Sequence, residues 1–101
     1  MIIYNVTTHV AHSINEAWLE WMMQKHIPEI MATACFEKYQ LVKLLDTDET
    51  EGNTYAIQFY AENRLLYDRY INSFAQTMRD DSFKSWGNKT IAFRSLMEVI
   101  E

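Results

Sequence analysis

Few residues of this chain have side chains that could do chemistry, and His26 is the first of them. It stands before Ile27 and Pro28, and because proline disfavours helical geometry in the preceding residue, the first helix is predicted to end near His26. A helix C-terminus favours the charged imidazole, and a histidine titrating near neutrality can serve as an acid or a base. The same position suits a histidine that only satisfies the free carbonyl groups of the helix end, so both interpretations stay open.

The remaining reactive side chains give weaker patterns. His9 and His12 have H-x-x-H spacing but straddle a predicted strand end and turn, so they share no helix face and we predict no metal and no cofactor. Cys35 is the only cysteine, so no intrachain disulfide forms, and a buried structural thiol is expected. The sequence contains no nucleophile elbow, glycine-rich phosphate loop or paired catalytic carboxylates. Without such a signature, it does not decide whether the protein is an enzyme.

Hydrophobic patterning predicts the elements that must position these residues. The 101 residues, 49% of them hydrophobic, suit one domain over 1–101. A first helix follows the first strand, and a second, capped by Asn63, follows the third. The order strand–helix–strand–strand–helix–strand predicts an α+β, ferredoxin-like βαββαβ fold, with a four-stranded antiparallel sheet in the order 4-1-3-2 and both helices on one face. The four strands are predicted at 2–10, 36–45, 54–61 and 91–100.

The sheet face that the helices leave uncovered is predicted to carry the other candidate residues. Alternation assigns to it Asn5 of strand one, Gln58 and Tyr60 of strand three, and Arg94 of strand four. Since strand one pairs with strands three and four, Asn5, Gln58 and Arg94 are predicted to form a polar row that suits a carboxylate or carbonyl ligand. The row equally suits a polar network in a dimer interface or a solvated sheet. The opposite face of strand four, towards the helices, is predicted to hold Ile91, Phe93, Met97 and Val99.

Composition makes several classes of partner poor candidates. A net charge of -5 repels nucleic acid and anionic membranes. The positions where an RNA-recognition motif would place stacking rings hold Thr54 and Ala56, so no RNA binding is predicted. No apolar run approaches the roughly 20 residues that cross a bilayer, and no signal peptide is evident. We therefore expect a cytoplasmic protein that binds neither nucleic acid nor membrane.

Several motifs together resemble known families. The opening MIIYNVT, the segments EAWLEWM, HIPE and GNKTIAFRS, and the ending MEVI are similar to an uncharacterised bacterial domain-of-unknown-function family, over essentially the whole chain. More distantly, the spacing of Trp18, Trp21, His26 and Pro28 resembles the dimeric α/β-barrel superfamily, which includes antibiotic-biosynthesis-type monooxygenases, ethyl-tert-butyl-ether-degradation-type proteins and muconolactone isomerases. That resemblance implies a homodimer joined through the open sheet faces and a pocket between helices and sheet.

Two functional hypotheses follow. In the first, the protein is a dimeric α/β barrel that binds a small organic molecule and, if it is an enzyme, acts on a small organic acid or carbonyl compound. His26 would then be the acid–base group and Arg94 the anion partner, with other ligand contacts from Asn5, Trp21, Gln58 and Tyr60. The alternative is a non-catalytic structural or partner-binding homodimer, whose interior would lack a ligand-sized cavity of roughly 300 Å³.

Overall fold

The protein forms a four-stranded antiparallel sheet with helices on one face, in a computed structural model that describes every residue from Met1 to Glu101. The α+β class and the predicted order of strands and helices are confirmed. None of the helices combines the length and apolar composition that crossing a membrane requires. Three short segments connect the main elements: two 3₁₀ turns at His12–Ile14 and Gly87–Lys89, and a π-helical turn at Met22–His26. The main elements are β1 (Ile2–Ala11), α1 (Asn15–Trp21), α2 (Ile27–Met31), β2 (Lys38–Lys43), β3 (Gly52–Ala61), α3 (Arg64–Ser73), α4 (Ala75–Trp86) and β4 (Thr90–Glu98).

The strand order is β2-β3-β1-β4, which is the predicted order read from the other edge. β1 lies inside the sheet and pairs along its whole length with β3, from Ile2 opposite Ala61 to Ala11 opposite Gly52. A Cβ atom at Gly52 would lie 2.0 Å from the carbonyl oxygen of Val10, so only glycine allows this close approach of the two backbones. β4 pairs with β1 alone and forms one edge of the sheet.

The core lies between the sheet and the helices. Trp18 of α1 is buried and stacks on Tyr55 of β3, with ring centroids 5.3 Å apart. The predicted helix stripes supply Met22 and Tyr70 to the same core, and Cys35 is buried as expected. Burying large apolar side chains of this kind is the main favourable contribution to folding.

The first helix does not end at His26. The chain continues from α1 through the π-helical turn into α2, so His26 is followed by a further helical segment that ends at Met31. Pro28 stands in the first turn of α2, where its missing N–H group leaves no helical hydrogen bond broken. The predicted helix end is therefore wrong, whereas a short helical segment at Pro28 is present.

The two faces of β4 are the reverse of those predicted. Register places Arg94 opposite Val6 and Phe93 opposite Thr7 of β1. Val6 belongs to the face that the helices cover, so Arg94 lies on the covered face. Because side chains alternate along a strand, a register that differs by one residue exchanges the two faces completely. The open face of β4 therefore carries Ile91, Phe93, Ser95 and Met97.

Candidate functional site

A cavity of about 60 Å³ lies between the covered face of the sheet and the helices. At about 30 Å³ per molecule it holds roughly two waters, well below the roughly 300 Å³ of a typical ligand site. It opens beside the edge strand β4, where the side chain of Arg94 is exposed. Its polar lining comes from five different elements and includes Tyr4, His26, Tyr70, Arg79 and Arg94. The apolar lining includes Trp18, Met22, Ile57, Phe59 and Met78.

Tyr4 stands at the centre of this polar group. Its buried ring contacts four other aromatic rings, including those of Tyr67 and Tyr70 at centroid distances of 5.6 and 5.7 Å. Its hydroxyl oxygen accepts a hydrogen bond from Nη2 of Arg79 at 3.3 Å and another from Nε of Arg94 at 3.2 Å. The aromatic packing thus fixes one phenol oxygen between two guanidinium groups.

Neither of these arginines has a carboxylate partner. The three ion pairs of the protein involve Lys25, Lys43 and Arg64 instead. Arg79 is half-buried, and its Nε atom is buried without a hydrogen-bond acceptor. The hydrogen bond to Tyr4 raises the pKa of Arg79 more than burial lowers it, so the group stays charged.

Tyr70 adds another proton donor to the cavity. Burial raises the pKa of its hydroxyl far above the usual range, with a smaller contribution from the neighbouring Tyr4. The phenol therefore stays protonated at every ordinary pH and can donate a hydrogen bond into the cavity.

His26 is neutral rather than charged at neutral pH. Burial lowers its pKa to about 4, which outweighs the raising effect of the carboxylates of Glu29 and Asp81. Its ring stacks on Trp21, with centroids 4.5 Å apart and an angle of 19° between the rings. The charged imidazole expected from the helix end is therefore wrong. No protein group hydrogen-bonds either ring nitrogen, so the imidazole can accept a proton from a ligand in the cavity.

The other two histidines contact backbone or hydroxyl groups elsewhere. Nδ1 of His9 is 3.2 Å from Oγ1 of Thr54 on the open face, and Nε2 of His12 is 2.6 Å from the carbonyl oxygen of Glu49. No group of three or more His, Cys, Asp or Glu side chains is placed to hold a metal ion.

The sheet divides the predicted site residues into two groups. His26 and Arg94 line the cavity, and the ring of Trp21 stacks on the ring of His26. The polar row predicted to include Arg94 instead joins Asn5 to Ser95, so that part of the prediction is wrong. The second group lies on the open face, on the far side of the sheet from His26, and comprises Asn5, Gln58 and Tyr60.

Sequence reasoning missed Tyr4, Tyr70 and Arg79 as site residues. Tyr70 and Arg79 are nine residues apart, which is two and a half turns and opposite faces of a straight helix. The chain breaks helical geometry at Phe74, where φ is -129° between α3 and α4, and this break brings both side chains to one cavity. A usable signal was Tyr4 itself, a phenol among the aliphatic residues that share its face of β1.

The family of this chain follows from its sequence as a whole. The profile of DUF4286, a domain of unknown function, matches residues 1–100. The chain belongs to the DUF4286 family. This confirms the resemblance to an uncharacterised family that the sequence motifs indicated. No curated protein matches the chain.

Solved structures similar to this DUF4286 protein share its fold at low identity. An ethyl tert-butyl ether (EthD) family protein from Bacillus halodurans is 12% identical with a TM-score of 0.68, over 99% of this chain and 100% of the other. SnoaB, a cofactor-independent oxygenase from Streptomyces nogalater, is 12% identical with a TM-score of 0.69, over 99% and 94%. A dimeric ferredoxin-like protein from an uncultured marine organism is 12% identical with a TM-score of 0.73, over 99% and 95%. These likenesses establish the ferredoxin-like fold and nothing further.

Proposed function

We propose that this DUF4286 protein binds a small organic molecule in the cavity beneath its helices. The observation that carries the proposal is the Nε atom of Arg79, which is buried at the cavity without a hydrogen-bond acceptor, while the ring nitrogens of His26 in the same cavity make no hydrogen bond to the protein. Buried polar groups in proteins are nearly always paired, so the unpaired Nε suits a ligand that pairs with it. Because the cavity is small, the ligand is a small one, or one whose remainder extends past Arg94 to the surface.

His26 is the acid–base group in this proposal. A neutral imidazole with free ring nitrogens accepts a proton, which is what an enzyme acting on a small organic acid or carbonyl compound requires. SnoaB, a structural neighbour, is described as a cofactor-independent oxygenase, so this fold supports chemistry on organic molecules in at least one other protein. A cytoplasmic location and the absence of a cofactor stay predictions.

The same proposal makes the protein a homodimer joined through the open sheet face. That face carries exposed Ile91, Phe93 and Met97 along β4, beside the polar pair Asn5 and Gln58. Exposed apolar patches of this kind mark interaction surfaces. A structural neighbour with the same fold is described as dimeric, which supports the assignment. Asn5, Gln58 and Tyr60 then belong to the dimer interface rather than to the ligand cavity.

The small volume of the cavity favours one alternative. At about 60 Å³ it falls below the size that would argue against a purely structural or partner-binding homodimer. In that case only water would hydrogen-bond to the ring nitrogens of His26 and to Nε of Arg79, and the protein would purify without any small molecule.

Native mass spectrometry of the purified protein separates these functions. We expect a dimer that carries a reproducible extra small mass, absent from the denatured mass. Ala92 lines the cavity, so Ala92→Leu should fill it and remove the extra mass, whereas Ala17→Leu on the exposed side of α1 should retain it. A dimer without added mass would favour the alternative, and a mass retained equally by Ala92→Leu would place the ligand elsewhere.

A further inference from the structure

The polar end of the cavity contains an excess of hydrogen-bond donors. The guanidinium groups of Arg79 and Arg94 point their N–H groups at one oxygen atom, that of the Tyr4 hydroxyl. A phenol oxygen that accepts two hydrogen bonds keeps its own O–H group as a donor, and Tyr70 supplies a further hydroxyl that stays protonated. The two guanidinium groups and the two phenols thus offer many donors, whereas the hydroxyl oxygen of Tyr4 is the one acceptor that the arginines share.

The charge at this end of the cavity is uncompensated. Neither Arg79 nor Arg94 takes part in an ion pair, although the chain carries 14 acidic residues against 9 basic ones. Asp80, one residue after Arg79 in α4, accepts a hydrogen bond from Gln76 instead. Charged side chains removed from water are normally paired, so the half-buried Arg79, with Arg94 exposed beside it, indicates that the missing negative charge comes from outside the chain.

We infer that the cavity binds the carboxylate group of a small organic acid beside the Tyr4 hydroxyl, at the N–H groups of Arg79 and Arg94 that this hydroxyl leaves free, an inference that rests on the proposed function. A guanidinium group presents N–H groups in a plane that matches the two oxygens of a carboxylate. The unpaired Nε of Arg79 offers one such N–H group, and the hydroxyl of Tyr4 lies between the two arginines. Because the cavity holds only roughly two waters, it accommodates the carboxylate, and the body of the acid extends past Arg94 to the surface.

The test is an NMR titration of the ¹⁵N-labelled wild-type protein with sodium propionate and, separately, with propionamide at the same ionic strength. The two probes have the same number of non-hydrogen atoms and differ in charge. We expect propionate to shift the Nε–H resonance of Arg79 and the cavity amides to saturation. Loss of a charge-assisted hydrogen bond weakens binding by about tenfold or more, so propionamide should bind at least about tenfold more weakly.

Single substitutions assign the effect to the two arginines. Arg79→Gln and Arg94→Gln should each weaken propionate binding by about tenfold or more. Arg79→Lys keeps the charge but loses the forked geometry, so its affinity should be intermediate. Arg69→Gln removes an exposed arginine of α3 that makes no hydrogen bond or ion pair, and should leave the affinity unchanged. Should Arg79→Gln fail to fold, Arg94→Gln and the wild-type comparison of the two probes still decide.

The outcomes distinguish this inference from the proposed function. If propionamide perturbs the cavity resonances with the affinity of propionate, the carboxylate inference is overturned while ligand binding in the cavity stands. If Arg69→Gln weakens binding as much as Arg79→Gln, only the net charge of the protein matters and the inference is again overturned. If sodium sulfate binds at the same resonances more tightly than propionate, the site takes tetrahedral anions instead. If neither organic probe perturbs the cavity, the carboxylate inference is overturned, and the native mass spectrum decides the proposed function separately.

Discussion

The two faces of the sheet satisfy their side chains in different ways. On the covered face, α1 and the other helices bury the aromatic core and enclose the cavity. On the open face, Phe93 is 66% exposed and Ile91 56% exposed, although both are large and apolar. The helices thus cover much of one face, whereas the apolar row of β4 on the other face stays exposed in the single chain. In the function proposed above, the covered face serves a ligand and the open face serves another copy of the chain.

The two faces also differ in how their polar groups are paired, and here the open face is the one whose groups are satisfied. On the open face they pair with one another: Nδ2 of Asn5 donates to Oγ1 of Thr7 at 3.0 Å, and the hydroxyl of Tyr60 donates to Oε1 of Gln58 at 3.2 Å. On the covered face, Nε of Arg79 has no acceptor. A polar network that satisfies itself can be enclosed in an interface at little cost, whereas an unpaired group needs a partner from outside.

The largest expected effect comes from the core of the covered face. Trp18→Ala removes a buried ring that packs on Tyr55, and truncating a buried tryptophan costs about 3–5 kcal/mol. We therefore expect the free energy of unfolding, measured with urea, to fall by that amount. Phe83→Ala is the matched control, because its ring is 71% exposed and its removal should change the stability by less than about 0.5 kcal/mol. Equal losses in the two variants would contradict the assignment of the core.

The second effect concerns His26 and pH. Its folded pKa of about 4 lies below the ordinary value of 6.5, so between these values the unfolded chain binds more protons and stability falls as the pH falls. The contribution of the neutral His26 ring to the free energy of unfolding is fully present above pH 6.5 and is lost progressively as the pH falls towards 4. From pH 7 to pH 5 the loss is about 2 kcal/mol. Urea unfolding at both pH values should show this loss in the wild type and a loss smaller by about 2 kcal/mol in His26→Gln.

His12→Gln provides the control for that measurement. His12 is exposed in the 3₁₀ turn after β1 and does not line the cavity, so a smaller loss in His26→Gln than in His12→Gln assigns the difference to the buried ring of His26. The imidazole resonances give a direct check, since His26 should titrate with a midpoint near 4. A midpoint near the ordinary value of 6.5 would show that the ring is hydrated and would contradict the lowering of its pKa by burial.

Most of the fold follows from local sequence patterns. The strands β1 and β3 were predictable because β-branched and aromatic residues alternate along them, and Asn63 was correctly placed as the cap of α3, where its Oδ1 accepts the backbone N–H of Leu66 at 3.0 Å. The continuation of the first helix past His26 was not predictable. It depends on a π-helical turn, which inserts its extra residue without any composition signal.

The site was less predictable than the fold because two of its positions depend on tertiary geometry. Arg94 was assigned to the wrong face, since the residues of β4 that share its face are less apolar than Ile91 and Phe93 on the other. On the edge strand β4 the more apolar residues lie on the open face, so hydrophobicity alone assigns the two faces the wrong way round. Arg79 was missed because only the break at Phe74 turns it towards the cavity.

The smallest effect on the fold, and the sharpest test of the open face, is expected from Phe93→Glu. The ring of Phe93 is exposed in the single chain, so the substitution should change the stability of the isolated fold by less than about 0.5 kcal/mol. A carboxylate between two stacked sheets would be buried without a partner, which costs several kcal/mol. Light scattering during gel filtration should therefore report a dimer for the wild type and a monomer for Phe93→Glu.

Leu65→Glu is the matched control for this substitution, because Leu65 is 77% exposed on α3, away from the open face. It introduces the same charge and should leave the dimer intact. A wild-type monomer, or a Phe93→Glu variant that still dimerises, would show that the exposed row of β4 does not join two copies of the chain. The contrast between the faces would then need a different partner for β4, while the cavity on the covered face would stand unaffected, because its lining comes from one chain alone.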